Sequence, residues 1–255
     1  MWNADIYNLY GKERLQPSID LSNRIKSSNK NLKRILDVGC GTGMSTAALM
    51  DSFKDAEIIG VDLSKEMLQK AKESIPSIQF IQRDCSQSLA DMGTFDLIFS
   101  NAFLQWIPNQ EEFISNSFDM LNAGGIFAAQ IPLFHEMPAN QCILKSESIL
   151  SDRFENTKNN MIFHSVSDYY NMILSHTDKI YMWITEYYHE MCNHKKILDF
   201  LKGTALRPYI DRLNEEEQNI FMNEVLKNIE KAYPCQKNGK VLFPFRRLFL
   251  IGEKD

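Results

Sequence analysis

The sequence predicts an α/β fold: a doubly wound, mostly parallel, seven-stranded sheet with a helical cap. Three observations carry this. Apolar and amphipathic stretches alternate through residues 33–131. One apolar run ends in an acid and breaks into alternating glycines, Ile35-Leu36-Asp37-Val38-Gly39-Cys40-Gly41-Thr42-Gly43. The next apolar run closes on a second acid, Asp62. Alternating βα units of this length imply parallel strands joined by right-handed crossovers.

In chain order, residues 34–38 read as the first strand and 45–53 as the helix after the glycine turn. Residues 57–61 form the second strand. Ser64, followed by Met67 and Leu68, has the form of an N-cap opening an amphipathic helix over 64–74. Strands follow at 78–82, 95–100 and 125–131, with a helix at 110–121 that Asn122-Ala123-Gly124-Gly125 stops. After residue 131 the rhythm changes. Residues 139–176 look helical, 179–189 read as a strand rich in aromatics (Tyr181, Trp183, Tyr187, Tyr188), and 193–203 and 214–232 are helical again. Residues 241–251 form a closing strand that returns to the sheet. The expectation is a single domain over 1–255, with cap segments at about 135–176 and 193–234 packed over the open edge of the sheet.

Composition narrows the function. A chain of 255 residues with 44% hydrophobic and 24% charged residues is an ordinary globular one, long enough for a large α/β domain with an elaborate cap. Its net charge of −5 carries no basic excess for nucleic acid, and no apolar run reaches membrane-spanning length. The opening Met1-Trp2-Asn3-Ala4-Asp5 lacks the form of a secretory signal. Five cysteines (Cys40, Cys85, Cys142, Cys192, Cys235) are dispersed without a C-x-x-C pair, which suggests reduced thiols in a cytoplasmic protein. His189 and His194 lie five apart without supporting ligands, so no metal site is expected.

In a doubly wound sheet the ligand lies beyond the carboxyl ends of the strands, where strand order reverses. The marked acids fall at those ends. Gly39, Gly41 and Gly43 remove side chains where a ligand can lie against backbone. Two acids flanking such a loop suit a ligand with both a cation and a ribose, either a dinucleotide or S-adenosylmethionine. A dinucleotide fingerprint needs G-x-G-x-x-G, but the third position is Met44 counting from Gly39 and Thr46 counting from Gly41. Asp37 also adds negative charge where a pyrophosphate would sit, whereas it suits the ammonium of a methionine tail. Asp62 can bridge two ribose hydroxyls, with Leu63 following it into the site. Asp84 can accept from an adenine amino group while the Cys85 backbone N–H donates to the ring. The segment from Asn101 to Trp106 would lie across the methyl donor. Plainer readings exist: Asp37 and Asp84 as turn acids, Asp62 as a partner of a helix N-terminus, Trp106 as packing.

Asp37-Val38-Gly39-Cys40-Gly41-Thr42-Gly43 with Asp62, Asp84 and the strand from Phe95 to Ala102 resembles the class I S-adenosylmethionine-dependent methyltransferases, which have a Rossmann-like sheet. Further segments resemble the trans-aconitate methyltransferase family: Trp2-Asn3 with Tyr7, Asn101-Ala102-Phe103-Leu104-Gln105-Trp106, Tyr187-Tyr188-His189, Gly203-Thr204-Ala205-Leu206-Arg207-Pro208 and Arg247-Leu248-Phe249. The resemblance covers nearly the whole chain. It departs at Thr42 and Met44, where that family carries Pro and Asn, and at Pro132-Leu133-Phe134-His135-Glu136-Met137, which lacks its Asp-Asn pair.

The resemblance implies methyl transfer from S-adenosylmethionine to a carboxylate of a small polycarboxylic acid, trans-aconitate, giving a monomethyl ester and S-adenosylhomocysteine. No catalytic side chain is expected, because a carboxylate is ionised at neutral pH and needs only proximity and orientation. The acid needs local cations in an acidic chain. Arg207 is the first candidate and Arg247 the second, with Arg246 facing the opposite way on a regular strand. Tyr187 and His189, on one strand face, can add donors, while Tyr7 and Gln105 can fold over donor or substrate. The expected partner is thus a small anionic carboxylic acid, with no nucleic acid or membrane. Oligomeric state is not legible, a monomer being the default. Competing readings are a nicotinamide-dependent oxidoreductase, a methyltransferase acting on another small molecule, and a non-catalytic S-adenosylmethionine-binding protein.

Overall fold

A computed structural model describes residues 11–154 and 161–255. The apolar runs become the strands β1 (Arg34–Val38), β2 (Glu57–Asp62), β3 (Gln79–Gln82), β4 (Phe95–Asn101), β5 (Leu121–Pro132), β6 (Ile180–Met191) and β7 (Val241–Glu253). They form one sheet in the order β3-β2-β1-β4-β5-β7-β6. β1 to β5 pair in parallel, whereas β7 runs antiparallel to both β5 and β6. The chain builds outward from β1 through β2 to β3, then restarts on the other side of β1 with β4. The reversal opens a crevice at the carboxyl ends of β1 and β4.

Helices α1 (Gly11–Lys26), α2 (Met44–Ser52), α3 (Lys65–Ser74) and α4 (Gln110–Asp119) cover the sheet. Ser64 caps α3 as expected, accepting from the Met67 N–H at 3.3 Å. α1, which the sequence pattern did not announce, lays Leu21 and Ile25 against Ile35, Leu97, Phe99 and Phe249. The Asn122–Gly125 run is not a helix stop. α4 ends earlier, and the run lies inside β5, where the register jumps from Phe95↔Leu121 to Leu97↔Ile126. Gly124 takes a left-handed φ of 70° there, absorbing the extra residues of a bulge.

The cap is also redrawn. Helices α5 (Pro138–Ser146), α6 (Ser151–Phe154), α8 (His194–Lys202), α9 (Arg207–Ile210) and α10 (Glu215–Ala232) share a core with Met191, Val241, Phe243 and Phe245. Those last residues belong to the part of the β6–β7 ribbon that projects past β5, which leaves β7 at Pro132↔Arg247. The cap therefore stands on this ribbon rather than over an open edge. α7 (Val166–Leu174), expected in the cap, buries Tyr169 and Ile173 in the sheet core beside α4, and the Tyr169 hydroxyl donates to Gln110 Oε1 at 2.8 Å. No helix among the described residues is long and apolar enough to cross a membrane.

Candidate functional site

A cleft of about 540 Å³ occupies the predicted crevice. Gly39 and Gly41 form its floor with φ of 70° and 55°, a left-handed backbone that glycine adopts without a Cβ penalty. A Cβ on Gly39 would lie 2.1 Å from the Phe103 ring, so the loop and the segment after β4 close on each other only because that side chain is missing. Asp62, at the end of β2, accepts from the Gly41 N–H at 2.9 Å and the Ser64 N–H at 2.8 Å. Burial raises its pKa against those hydrogen bonds. Leu63 is 62% exposed at the lip, an apolar surface that an aromatic base can cover. Asp84 and Cys85 line the far wall. Asp84 accepts from Ser86 at 3.0 Å (N–H) and 2.7 Å (Oγ), and burial pushes the Cys85 thiol up to about 12, keeping it neutral. Asn101 and Trp106 complete the lining, and Asn101 Oδ1 is buried with no hydrogen-bond partner among the described residues.

Two predicted cofactor residues sit behind this wall. Gly43 heads α2 at φ 85°, and a Cβ on it would press on Ala71, Ile75 and Phe80 at 3.3–3.4 Å, so it serves packing. Asp37 is fully buried, its Oδ2 accepting from Thr46 Oγ1 at 2.6 Å and Ser45 Oγ at 2.8 Å. It ties the end of β1 to α2, while Oδ1 has no partner among the described residues. Burial raises its pKa to about 6 in spite of the two hydroxyls.

A second, smaller pocket of about 70 Å³ shares Ala102 and Trp106 with the cleft. Arg14, Gln105 and Arg247 line it, backed by Phe134, Phe200 and Phe245. Arg247 is 4% exposed, donates to Gln130 Oε1 at 3.1 Å and lies 4.5 Å from the centre of the Phe245 ring. Arg14 donates to the Phe200 carbonyl at 3.3 Å and lies over that ring. Gln105 donates to the Ala102 carbonyl at 2.8 Å, leaving Oε1 buried without a partner among the described residues. Arg246 turns the other way, as strand alternation requires, and pairs with Glu136 at 2.6 Å.

Of the remaining substrate candidates, Arg207, Tyr187 and His189 do not line this pocket. Arg207 pairs with Asp211 at 3.6 Å in α9, while Thr204 and Ala205, just before it, line the pocket. Tyr187 and His189 do share a face, their rings 6.3 Å apart, but the Tyr187 hydroxyl donates to Asp20 at 2.5 Å. His189 packs behind Phe200 and Phe245, where burial, then the charges of Arg247 and Arg14, lower its pKa to about 4. It is neutral at pH 7. Tyr7 lies outside the described residues. The sequence reading missed Arg14. Its only signal was the Leu21 and Ile25 spacing of an amphipathic helix, which gives no hint that the helix's first turn reaches a pocket.

The two chambers, a bare-backbone cleft at the switch point and a smaller pocket lined by Arg14 and Arg247, adjoin at Ala102 and Trp106. A family described as a methyltransferase domain matches residues 35–125. Trans-aconitate 2-methyltransferase of Escherichia coli O139:H28 is 32% identical over 99% of this chain and 98% of its own length. The enzyme of that name from Enterobacter sp. strain 638 is 33% identical over 100% and 98%. Among solved structures, the YcgJ protein of Bacillus subtilis superposes with a TM-score of 0.57 at 16% identity, covering 94% of this chain and 98% of its own. The plantazolicin methyltransferase BpumL, in complex with SAH, does so at 0.53 and 15%, over 98% and 90%. The chain belongs to the trans-aconitate 2-methyltransferase family of class I S-adenosylmethionine-dependent methyltransferases. The cleft fits that donor: its floor has no side chains, an acid stands at the end of β2, and the amide oxygen of Asn101 is buried without a hydrogen-bond partner among the described residues.

Proposed function

We propose that this enzyme methylates a carboxylate of a small polycarboxylic acid, trans-aconitate, releasing the monomethyl ester. The observation that carries this reading is the shared wall. Ala102 and Trp106 face both the donor cleft and a pocket lined by Arg14 and Arg247, so an anion there adjoins the donor. The names of the relatives in E. coli and Enterobacter supply the particular acid.

Bound S-adenosylmethionine would supply a methyl carbon activated by a sulfonium. In the cleft, Asp62 would hold the ribose, Leu63 and Asp84 the base, and Asp37 the ammonium through its remaining oxygen. The other residues bind and orient the acid. Guanidinium N–H groups grip a carboxylate through two parallel hydrogen bonds, and the guanidinium carbons of Arg14 and Arg247 lie over the Phe200 and Phe245 rings, 4.6 and 4.5 Å from their centres. Gln105 adds an amide. A carboxylate already carries its nucleophilic lone pair at neutral pH, so no proton need move. His189, neutral and screened by Phe200 and Phe245, has no such role. Trp106, Phe134 and Met161 exclude water from a reaction in which opposite charges merge. Orientation of this kind supplies about 7–11 kcal/mol in favourable cases.

The test is methyl transfer from labelled donor across trans-aconitate, cis-aconitate, citrate and isocitrate. A labelled ester from trans-aconitate at the highest kcat/KM is expected. Preference for another of the four would move the assignment to that acid, and no ester from any would overturn it.

A further inference from the structure

The carboxyl end of the sheet carries a row of polar side chains on the face that α1 covers. Asn101 on β4 lies opposite Gln130 on β5, and Gln130 lies opposite Phe249 on β7, two residues from Arg247. Residues two apart on a strand point the same way, so Asn101, Gln130 and Arg247 share this face. Asn101 lines the donor cleft and Arg247 the cationic pocket. Gln130 lines neither. It is fully buried, its Oε1 accepts from Arg247 Nη1 at 3.1 Å, and its Nε2 has no partner among the described residues. The strand around it, Ile126-Phe127-Ala128-Ala129-Gln130-Ile131, is otherwise apolar. A buried amide in such a run costs free energy unless its hydrogen bonds are made.

We propose that Gln130 is a positioning residue for substrate recognition: its amide oxygen holds the Arg247 guanidinium in register so that the fork faces the pocket. The inference rests on the anionic-substrate reading given above. A guanidinium has five N–H groups and rotates about a long stem, and one fixed acceptor behind it selects which pair points forward. A neutral acceptor suits this task. A carboxylate at the same place would hold the arginine equally well but cancel the charge that attracts an anion. Gln130 therefore orients Arg247 without neutralising it.

The experiment is a double-mutant cycle on the full chain, read by the calorimetric Kd of trans-aconitate with S-adenosylhomocysteine present and by KM and kcat. Gln130→Met keeps the volume without the amide; Gln130→Asn keeps a buried amide that falls short of Arg247. Each is expected to raise Kd and KM about tenfold, the scale of one charge-assisted hydrogen bond, with kcat within about threefold and S-adenosylhomocysteine affinity unchanged. In the Arg247→Ala background neither should weaken the acid further. Additive effects, or full affinity in both single variants, would overturn the positioning role while leaving the pocket assignment standing. If Arg247→Ala alone leaves Kd and KM unchanged, the pocket assignment fails and the inference goes with it. If Gln130→Met does not fold, Gln130→Asn carries the same test.

Discussion

The donor cleft and the acid pocket adjoin, yet they are built in different ways. The cleft comes from one stretch, between Gly39 and Pro108, and much of it is backbone: two left-handed glycines and N–H groups held by Asp62. The pocket gathers side chains from α1, the segment after β4, β5, the cap and β7, from Arg14 to Arg247. A ligand held by a turn can be specified by the few residues of that turn. One held by converging side chains depends on the whole tertiary fold. The cleft should thus respond to changes in local backbone chemistry, and the pocket to charge and reach at distant positions.

The sharpest break between the two would come from Arg247→Ala. Removing one side of a buried, hydrogen-bonded charge contact typically costs about 2–5 kcal/mol, so KM for trans-aconitate should rise roughly 30-fold or more. S-adenosylhomocysteine binding, measured by calorimetry, should stay within about twofold, because Arg247 does not line the cleft. Arg247→Lys should recover only part of the loss, since an ammonium lacks the planar fork. Equal loss of donor and acid affinity would merge the two chambers into one cooperative site. The mirror change is Asp62→Ala, expected to weaken S-adenosylhomocysteine by about 1–3 kcal/mol. It removes a ribose acceptor and also frees the Gly41 and Ser64 N–H groups. Unchanged affinity would refute the ribose role.

How much was legible follows the same division. Asp62, Leu63, Asp84, Cys85, Asn101 and the first two glycines were placed from the motif, and the structure brings them to one cleft. The seven strands were readable from apolar runs bounded by turn residues. Arg14 was not, because nothing in the first turn of an unmarked helix reveals which pocket it meets. Arg207, an arginine before a proline and near residues that do line the pocket, does not itself line it and pairs with Asp211 at 3.6 Å. Gln130 left a trace that was overlooked, a single amide at the end of an apolar strand. The helical pattern of 139–176 was real but could not reveal that α7 belongs to the sheet, since apolar periodicity states that a face is buried, not against what.

Asp37 tests whether the cleft extends behind its visible wall. Its folded pKa of about 6 lies above the ordinary 3.8, so the protonated form stabilises the ligand-free protein. That contribution is complete below about 3.8 and is lost as pH rises through 6. If Oδ1 holds the donor's ammonium, binding needs the ionised form. Affinity for S-adenosylhomocysteine should then be about tenfold weaker at pH 5 than at pH 7, levelling above 6, with protons released on binding near pH 6. Asp37→Asn should flatten the profile. A pH-independent affinity in the wild type would leave Asp37 only its bonds to Ser45 and Thr46, and would confine the donor site to the wall already described.

The smallest expected effect belongs to Arg207→Ala, and it bears on the pocket's boundary. Thr204 and Ala205 line the pocket; Arg207 stands in the next turn, in an ion pair with an Asp211 that is well exposed. Exposed pairs of this kind contribute about 0.2–1 kcal/mol, and that contribution is to stability rather than to binding. The expected result is a small fall in Tm, KM for trans-aconitate within about twofold, and the same ratio of activity on tri- and dicarboxylates as the wild type. A tenfold rise in KM that spares dicarboxylates would place the guanidinium on a third carboxylate. The cap would then have to rotate α9 toward the pocket when substrate binds, and the acid site would be completed only in the loaded enzyme. An unchanged ratio keeps the cationic machinery on α1 and on the face of β7 that α1 covers, which need no cap movement to meet the acid.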